Sequence, residues 1–300
     1  MKKNKTRFAG LKKIFFASLF VFAQPFFLTG AFAGDFSDYE KTLLSQIYDM
    51  RARSRQEKDY LASEAFLEEC HNKILSDEVQ SKIGDEARLT FDNLLTLERW
   101  QYLWETDPEM EGLRPMIWTQ YEKIMAWNET HPFSEQNAYL KLSSFDLINS
   151  TMQYMKRGQM IKLGLQEKKV YDNLLETDPD NCIVYLNAGQ FYYNVSEVLS
   201  GAKPKAKRIY IKAIETASNN YEKYFANIFM AQMQLEEGDT EAYNASIAAA
   251  EKAIPNTPYM NFVKAVNEMG YTLYEYALHP AKIKKRVFVE KKRKVILRDK

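Results

Sequence analysis

Apolar residues recur three and four positions apart over most of the chain, the spacing of a helix face turned toward a core. Leu43, Leu44, Ile47 and Tyr48 carry the pattern first. They follow Ser37-Asp38-Tyr39-Glu40, where Ser at the N-cap and Glu three residues on fit a capping box. A helix over 58–75 comes next, with Leu61, Ala65, Leu67 and Ile74 among its apolar positions, and Asp77 and Gln80 can open another. From Glu86 the set Phe91, Leu94, Leu97, Trp100, Leu103 and Trp104 is dense enough to need a broad buried face. That helix should stop at Thr106-Asp107-Pro108, because proline cannot continue it and restricts the residue before it. Further helices are expected over 117–127, from Ser134 onward, and then in succession to about Leu278, with Gly158 and Gly164 marking bends or ends. No period-two alternation flanked by turn signals appears before the basic C-terminus, so the pattern predicts an all-α chain of about eleven helices in antiparallel neighbours.

Composition agrees with that class. Hydrophobic residues make up 46% of the 300 and aromatics 14%, ample for one large core or two ordinary ones. Only 11 Gly and 9 Pro argue against a turn-rich β chain. The net charge of +1 hides three zones. Residues 1–33 carry six Lys/Arg and no acid, and residues 281–300 carry ten Lys/Arg and two acids. The body, 34–280, is left with 25 bases and 38 acids, a net of −13. An acidic body argues against nucleic acid as the main partner, since backbone phosphates demand a basic surface.

The N-terminus reads as an export signal: a basic segment to Lys13, a mostly apolar run from Ile14 to Leu28, and Ala31-Phe32-Ala33 before Gly34. Cleavage is expected after Ala33, with the periplasm or the cell exterior as destination. An uncleaved anchor is the alternative, although Pro25 and the short apolar run disfavour a membrane span.

A repeat lies inside the helical pattern. The string Leu103-Trp104-Glu105-Thr106-Asp107-Pro108-Glu109 recurs as Leu174-Leu175-Glu176-Thr177-Asp178-Pro179-Asp180. An aromatic, Trp100 or Tyr171, stands eight residues before each proline. Further on, Tyr185, Gly189 and Tyr192 are followed by Ala206, Tyr210 and Ala213, and then by Ala231, Gly238-Asp239, Ala253 and Pro258. With these residues the chain resembles the tetratricopeptide repeat family, well over 165–260, weakly over 85–135, and not at all before residue 80. The resemblance implies stacked helix–turn–helix pairs, an α-solenoid in which a small residue in each first helix lets the second approach and aromatics fill the wedge between pairs. Three departures stand out: Thr96, Glu167 and Ser246 occupy positions where the family has a small helix-B residue. The division expected is a leader over 1–33, an irregular helical region over 34–150, tetratricopeptide-like repeats over 151–280 and a basic tail over 281–300.

In that family the first helices line a concave face, so the resemblance places Gln190, Tyr193, Asn194, Gln232 and Glu236 in a ligand groove. Side-chain amides can hold a peptide backbone, and tyrosine offers an apolar face with a polar tip. Cys70 and Cys182 could join as a disulfide in an oxidising compartment or remain two buried thiols. His71, His131 and His279 show no metal-ligand spacing, and no nucleophile motif or phosphate-cradling glycine loop occurs, so neither metal nor cofactor is expected. The tail is read as a contact for an anionic surface, a clasp onto the acidic body, or a solvated end. The reading is a non-catalytic exported scaffold for a protein or peptide partner, and for a small solute as well, in the manner of accessory subunits of transport or envelope-assembly complexes. A cell-wall or glycan-active enzyme using a Glu/Asp pair is the competing class.

Overall fold

The computed structural model describes residues 35–195 and 201–278; the leader at 1–33 and the basic tail at 281–300 lie outside them. Thirteen α-helices and two 3-10 turns account for the regular structure of the described residues, which contain no strand. In chain order the helices are α1 (Asp38–Ser54), α2 (Tyr60–Ile74), the single turn α3 (Asp77–Gln80), α4 (Asp85–Thr106) and α5 (Leu113–Thr130). They continue with α6 (Ala138–Thr151), α7 (Arg157–Thr177), α8 (Cys182–Asn194), α9 (Ala202–Thr216) and α10 (Asn220–Glu237). The last three are α11 (Thr240–Ala253), α12 (Pro258–Glu268) and α13 (Leu273–Leu278).

The helix ends are written locally. Ser37 and Glu40 form the expected capping box, and Asn219 with Glu222 forms a second at the start of α10. Gly238 takes φ +79° to end α10, and Asp239 then accepts a hydrogen bond from the Ala242 N–H to begin α11. Pro258 opens α12 at a position where its missing N–H is harmless, with Thr257 as the cap. Two boundaries differ from the sequence pattern. Ser134 falls in a 3-10 turn, and α6 starts only after Asn137, whose side chain caps it. Neither Gly158 nor Gly164 interrupts α7. A glycine costs a helix roughly 1 kcal/mol, and the buried stripe of Leu163, Glu167, Tyr171 and Leu174 holds this one together regardless.

Packing follows a simple order. α8 lies against α9, and α10 against α11, as antiparallel neighbours. α4, α6, α8 and α10 touch one another in turn, and α1 touches both ends of that row, α4 and α10. The row is thereby closed into a ring. One continuous cluster of buried side chains runs through it from Phe36 to Val263. At the α8–α9 contact a Cβ added to Gly189 would stand 2.3 Å from Cε1 of Tyr210, a ring with no exposed surface. Ala206 and Ala213, on the same side of α9, are also fully covered. Small residues therefore set the separation of these two helices.

Cys70 and Cys182 are both buried as free thiols. Cys70 is carried by α2, which packs on α1 and α4, whereas Cys182 begins α8 and donates from Sγ to the Ala213 carbonyl at 3.2 Å. Burial pushes the Cys182 thiol up to about 12, so it stays protonated and inert. No helix among the described residues is long and apolar enough to cross a membrane.

Gly189→Ala should destabilise the protein by roughly 1–3 kcal/mol, because Tyr210 has no room to yield. Denaturant unfolding of the single variant and of Gly189→Ala/Tyr210→Leu checks this: the double variant should lose less than the two separate losses combined.

Candidate functional site

The ring of helices encloses a cavity of about 430 Å³, within the usual size of small-molecule sites. α1, α4, α6, α8 and α10 each turn side chains into it, Tyr171 of α7 adds one more, and α12 and α13 lie across one side. No residue of α5, α9 or α11 lines it among the described residues. α4, α8 and α10 thus face the cavity, while the helices that follow them, α5, α9 and α11, do not.

Rings in edge-on or tilted contact form much of the wall. Trp104 meets Tyr276 at 5.9 Å, Tyr276 meets Phe262 at 4.8 Å, and the line continues through Tyr259, Phe225 and Tyr221 to Tyr48 of α1. Amides interrupt the rings at Gln101, Asn149, Asn187, Gln190 and Asn194. A surface of aromatic faces with a few convergent polar groups is what a ligand with an apolar body and polar ends requires.

Of the residues named from the sequence, Gln190 and Asn194 line this cavity, one turn apart on α8. Tyr193, Gln232 and Glu236 sit elsewhere and hold helices together. The Tyr193 hydroxyl donates to Glu236 Oε2 at 3.2 Å, and its ring meets the edge of Tyr274 at 6.0 Å. Gln232 is buried and exchanges two hydrogen bonds with Asn267 of α12, and its carbonyl oxygen also accepts from the Leu273 N–H. Glu236 forms an ion pair with Lys203 of α9 at 2.7 Å. α12 and α13 cover Gln232 and the Tyr193 ring, while Glu236 is taken up by α8 and α9.

Four charged residues at or beside the site, Arg51, Arg55, Glu98 and Asp146, escaped the sequence reading. Beside the cavity, Glu98 of α4 accepts from Arg51 Nε at 2.8 Å and from Arg55 Nη2, and Glu98 and Arg55 are each only 1% exposed. Burial alone would raise the Glu98 carboxyl, but the guanidinium groups of Arg55 and Arg51 outweigh it and hold it below its ordinary range. The two guanidinium groups also lie over rings: Arg51 over Tyr221 at 4.7 Å, and Arg55 over Tyr102 and Tyr259 at 4.7 Å and Phe225 at 5.1 Å. Asp146 of α6 is partly exposed and faces the cavity, and desolvation by the surrounding protein lifts it to about 6. Burial likewise lifts Glu105 to about 7; Gln101 Nε2 donates to its Oε1 at 2.9 Å, while its Oε2 is sealed from solvent near Tyr60. The available signal was a charge falling on an apolar stripe, as at Arg51, four residues after Ile47, and Glu98, four after Leu94.

Glu167, one of the departures from the repeat pattern, lies just outside the cavity wall. Asn149 Nδ2 donates to its Oε1 at 2.6 Å, and burial raises its carboxyl to about 8. Among the described residues no group of three or more His, Cys, Asp or Glu side chains is arranged to hold a metal ion. His71 instead makes a 2.8 Å contact with Asp92.

Glu98→Gln should cost about 3–5 kcal/mol, because it leaves two buried guanidinium groups facing a neutral amide; equilibrium unfolding measures it. Glu167 keeps a proton in the folded state that an unfolded carboxyl, with a value near 4.5, would release. Its contribution is full below about pH 4.5 and is lost as pH rises toward 8, and Glu105 adds a loss ending near 7. The melting temperature should therefore fall between pH 5 and pH 8, and Glu167→Gln should flatten that fall.

No family model, curated protein or solved structure matches the chain.

Proposed function

We propose that this chain is a non-catalytic, exported helical repeat protein of the tetratricopeptide type that binds a partner in the cell envelope through its concave cavity. The observation that carries the reading is the cavity itself, an aromatic and amide-lined space built from the inner helices of successive pairs. The close approach of α8 and α9 at Gly189 supports the repeat assignment, since a small residue there is what stacking of paired helices needs. The cavity is bounded by α12 and α13 rather than open along its length, so it suits a small solute or the end of a peptide better than an extended strand. Such a protein would serve as an accessory subunit that presents its ligand to a transport or assembly complex.

A glycan-active enzyme is the second reading, favoured by the raised carboxyls of Asp146 and Glu105 at one cavity. Against it, Glu105 has one oxygen held by Gln101 and the other sealed from the cavity, so the acid cannot reach a glycosidic oxygen.

The test is native mass spectrometry of the mature chain recovered from its own envelope without denaturation, beside the variant Gln190→Ala/Asn194→Ala. Both side chains are at least partly open, so the variant should keep its melting temperature within about 1–2 °C, as surface changes do. Wild type should carry a bound species that the variant loses at least tenfold. The same bound complement in both proteins would remove the cavity as the binding site.

A further inference from the structure

The charges beside the cavity constrain what can enter it. The cluster of Arg51, Arg55 and Glu98 carries one positive charge in excess, and Asp146 carries one negative charge on another wall. Asp146 makes no side-chain hydrogen bond and no ion pair with any described residue, although Arg51 is near enough to lower its carboxyl against the effect of burial. Arg51 uses only Nε on Glu98; its two terminal nitrogens hydrogen-bond to no described residue and are not sealed. The two opposite charges thus lie close together without pairing directly, each with hydrogen-bonding capacity left over. A lone cation would satisfy Asp146 and meet the excess positive charge of the arginine cluster, and a lone anion would face the converse. A charge taken from water into the cavity without a partner is costly.

We propose, resting on the cavity-binding reading above, that the natural ligand is a zwitterion with an apolar or aromatic body. Its carboxylate lies against the terminal nitrogens of Arg51 and its ammonium against Asp146. A planar guanidinium is suited to a carboxylate through paired N–H donors. The body of the ligand rests on the ring wall of Trp104, Phe262 and Tyr276. Free amino acids and short peptides with both termini unblocked are the chemical class with this arrangement. The cavity volume of about 430 Å³ admits either.

Titration calorimetry with the mature chain tests this using two zwitterions, phenylalanine and phenylalanyl-phenylalanine, and three controls. The controls are phenylacetate, which lacks the ammonium, phenethylamine, which lacks the carboxylate, and N-acetylphenylalaninamide, which has neither charge. At least one zwitterion should bind tenfold or more tighter than every control. Asp146→Asn should weaken that zwitterion at least tenfold while changing phenylacetate affinity less than threefold. Circular dichroism guards against unfolding, which is not expected because Asp146 holds no other side chain. A control that binds as tightly as the zwitterions, or an Asp146→Asn variant with unchanged affinity, overturns the zwitterion assignment and leaves cavity binding standing. If no zwitterion binds, the assignment falls; cavity binding falls with it only if native mass spectrometry of wild type and Gln190→Ala/Asn194→Ala also shows no difference.

Discussion

The carboxylate of Glu98, gripped by Arg51 and Arg55, is the contact on which the rest of the architecture depends. Arg55 stands at the C-terminal end of α1 with its guanidinium against rings from α4, α10 and α12. One buried side chain therefore ties the beginning of the described chain to its end. Paired helices stacked side by side would leave an open arc. Here α1 bridges α4 and α10, and the arc becomes a ring. A buried ion cluster contributes little to net stability, since desolvation offsets most of its attraction. Its effect is positional: two arginines near the end of α1 share one carboxylate of α4 and so fix that end of α1 against α4.

Closure gives the interior its character. Side chains that would be half-exposed on an open solenoid are instead packed around one space. Desolvation by the surrounding protein raises the carboxyls of Asp146, Glu105 and Glu167, while two arginines hold Glu98 below its ordinary range. The contrast among four carboxylates within one fold comes from neighbours alone. The same loss of water contacts strengthens any hydrogen bond or ion pair a ligand can form, and penalises any charge it leaves unmatched.

Much of the fold was legible in the chain. Helical periodicity located nearly every element, and the Ser37–Glu40 box, the Thr106-Asp107-Pro108 stop and the Gly238-Asp239 turn are local signals that need no tertiary contact. The site was legible only in part. Gln190 and Asn194 lie where a repeat pattern places inner residues, because their position depends on the periodicity of α8 alone. Tyr193, Gln232 and Glu236 depend on partners far along the chain: Tyr274 of α13, Asn267 of α12 and Lys203 of α9. Glu98 and Asp146 were hidden for a different reason: their meaning lies in partners, or the lack of them, 47 positions away in one case. The Glu167 departure illustrates the same limit, since only the fold shows Asn149 waiting for it.

The most direct test of the central claim, that a closed ring of inner helices forms a binding cavity, is amide hydrogen exchange along the chain with and without its ligand. The account predicts slower exchange on binding in α4, α6, α8 and α13, with α9 and α11 unchanged. Protection confined to α9 and α11, with the inner helices unaffected, would contradict it.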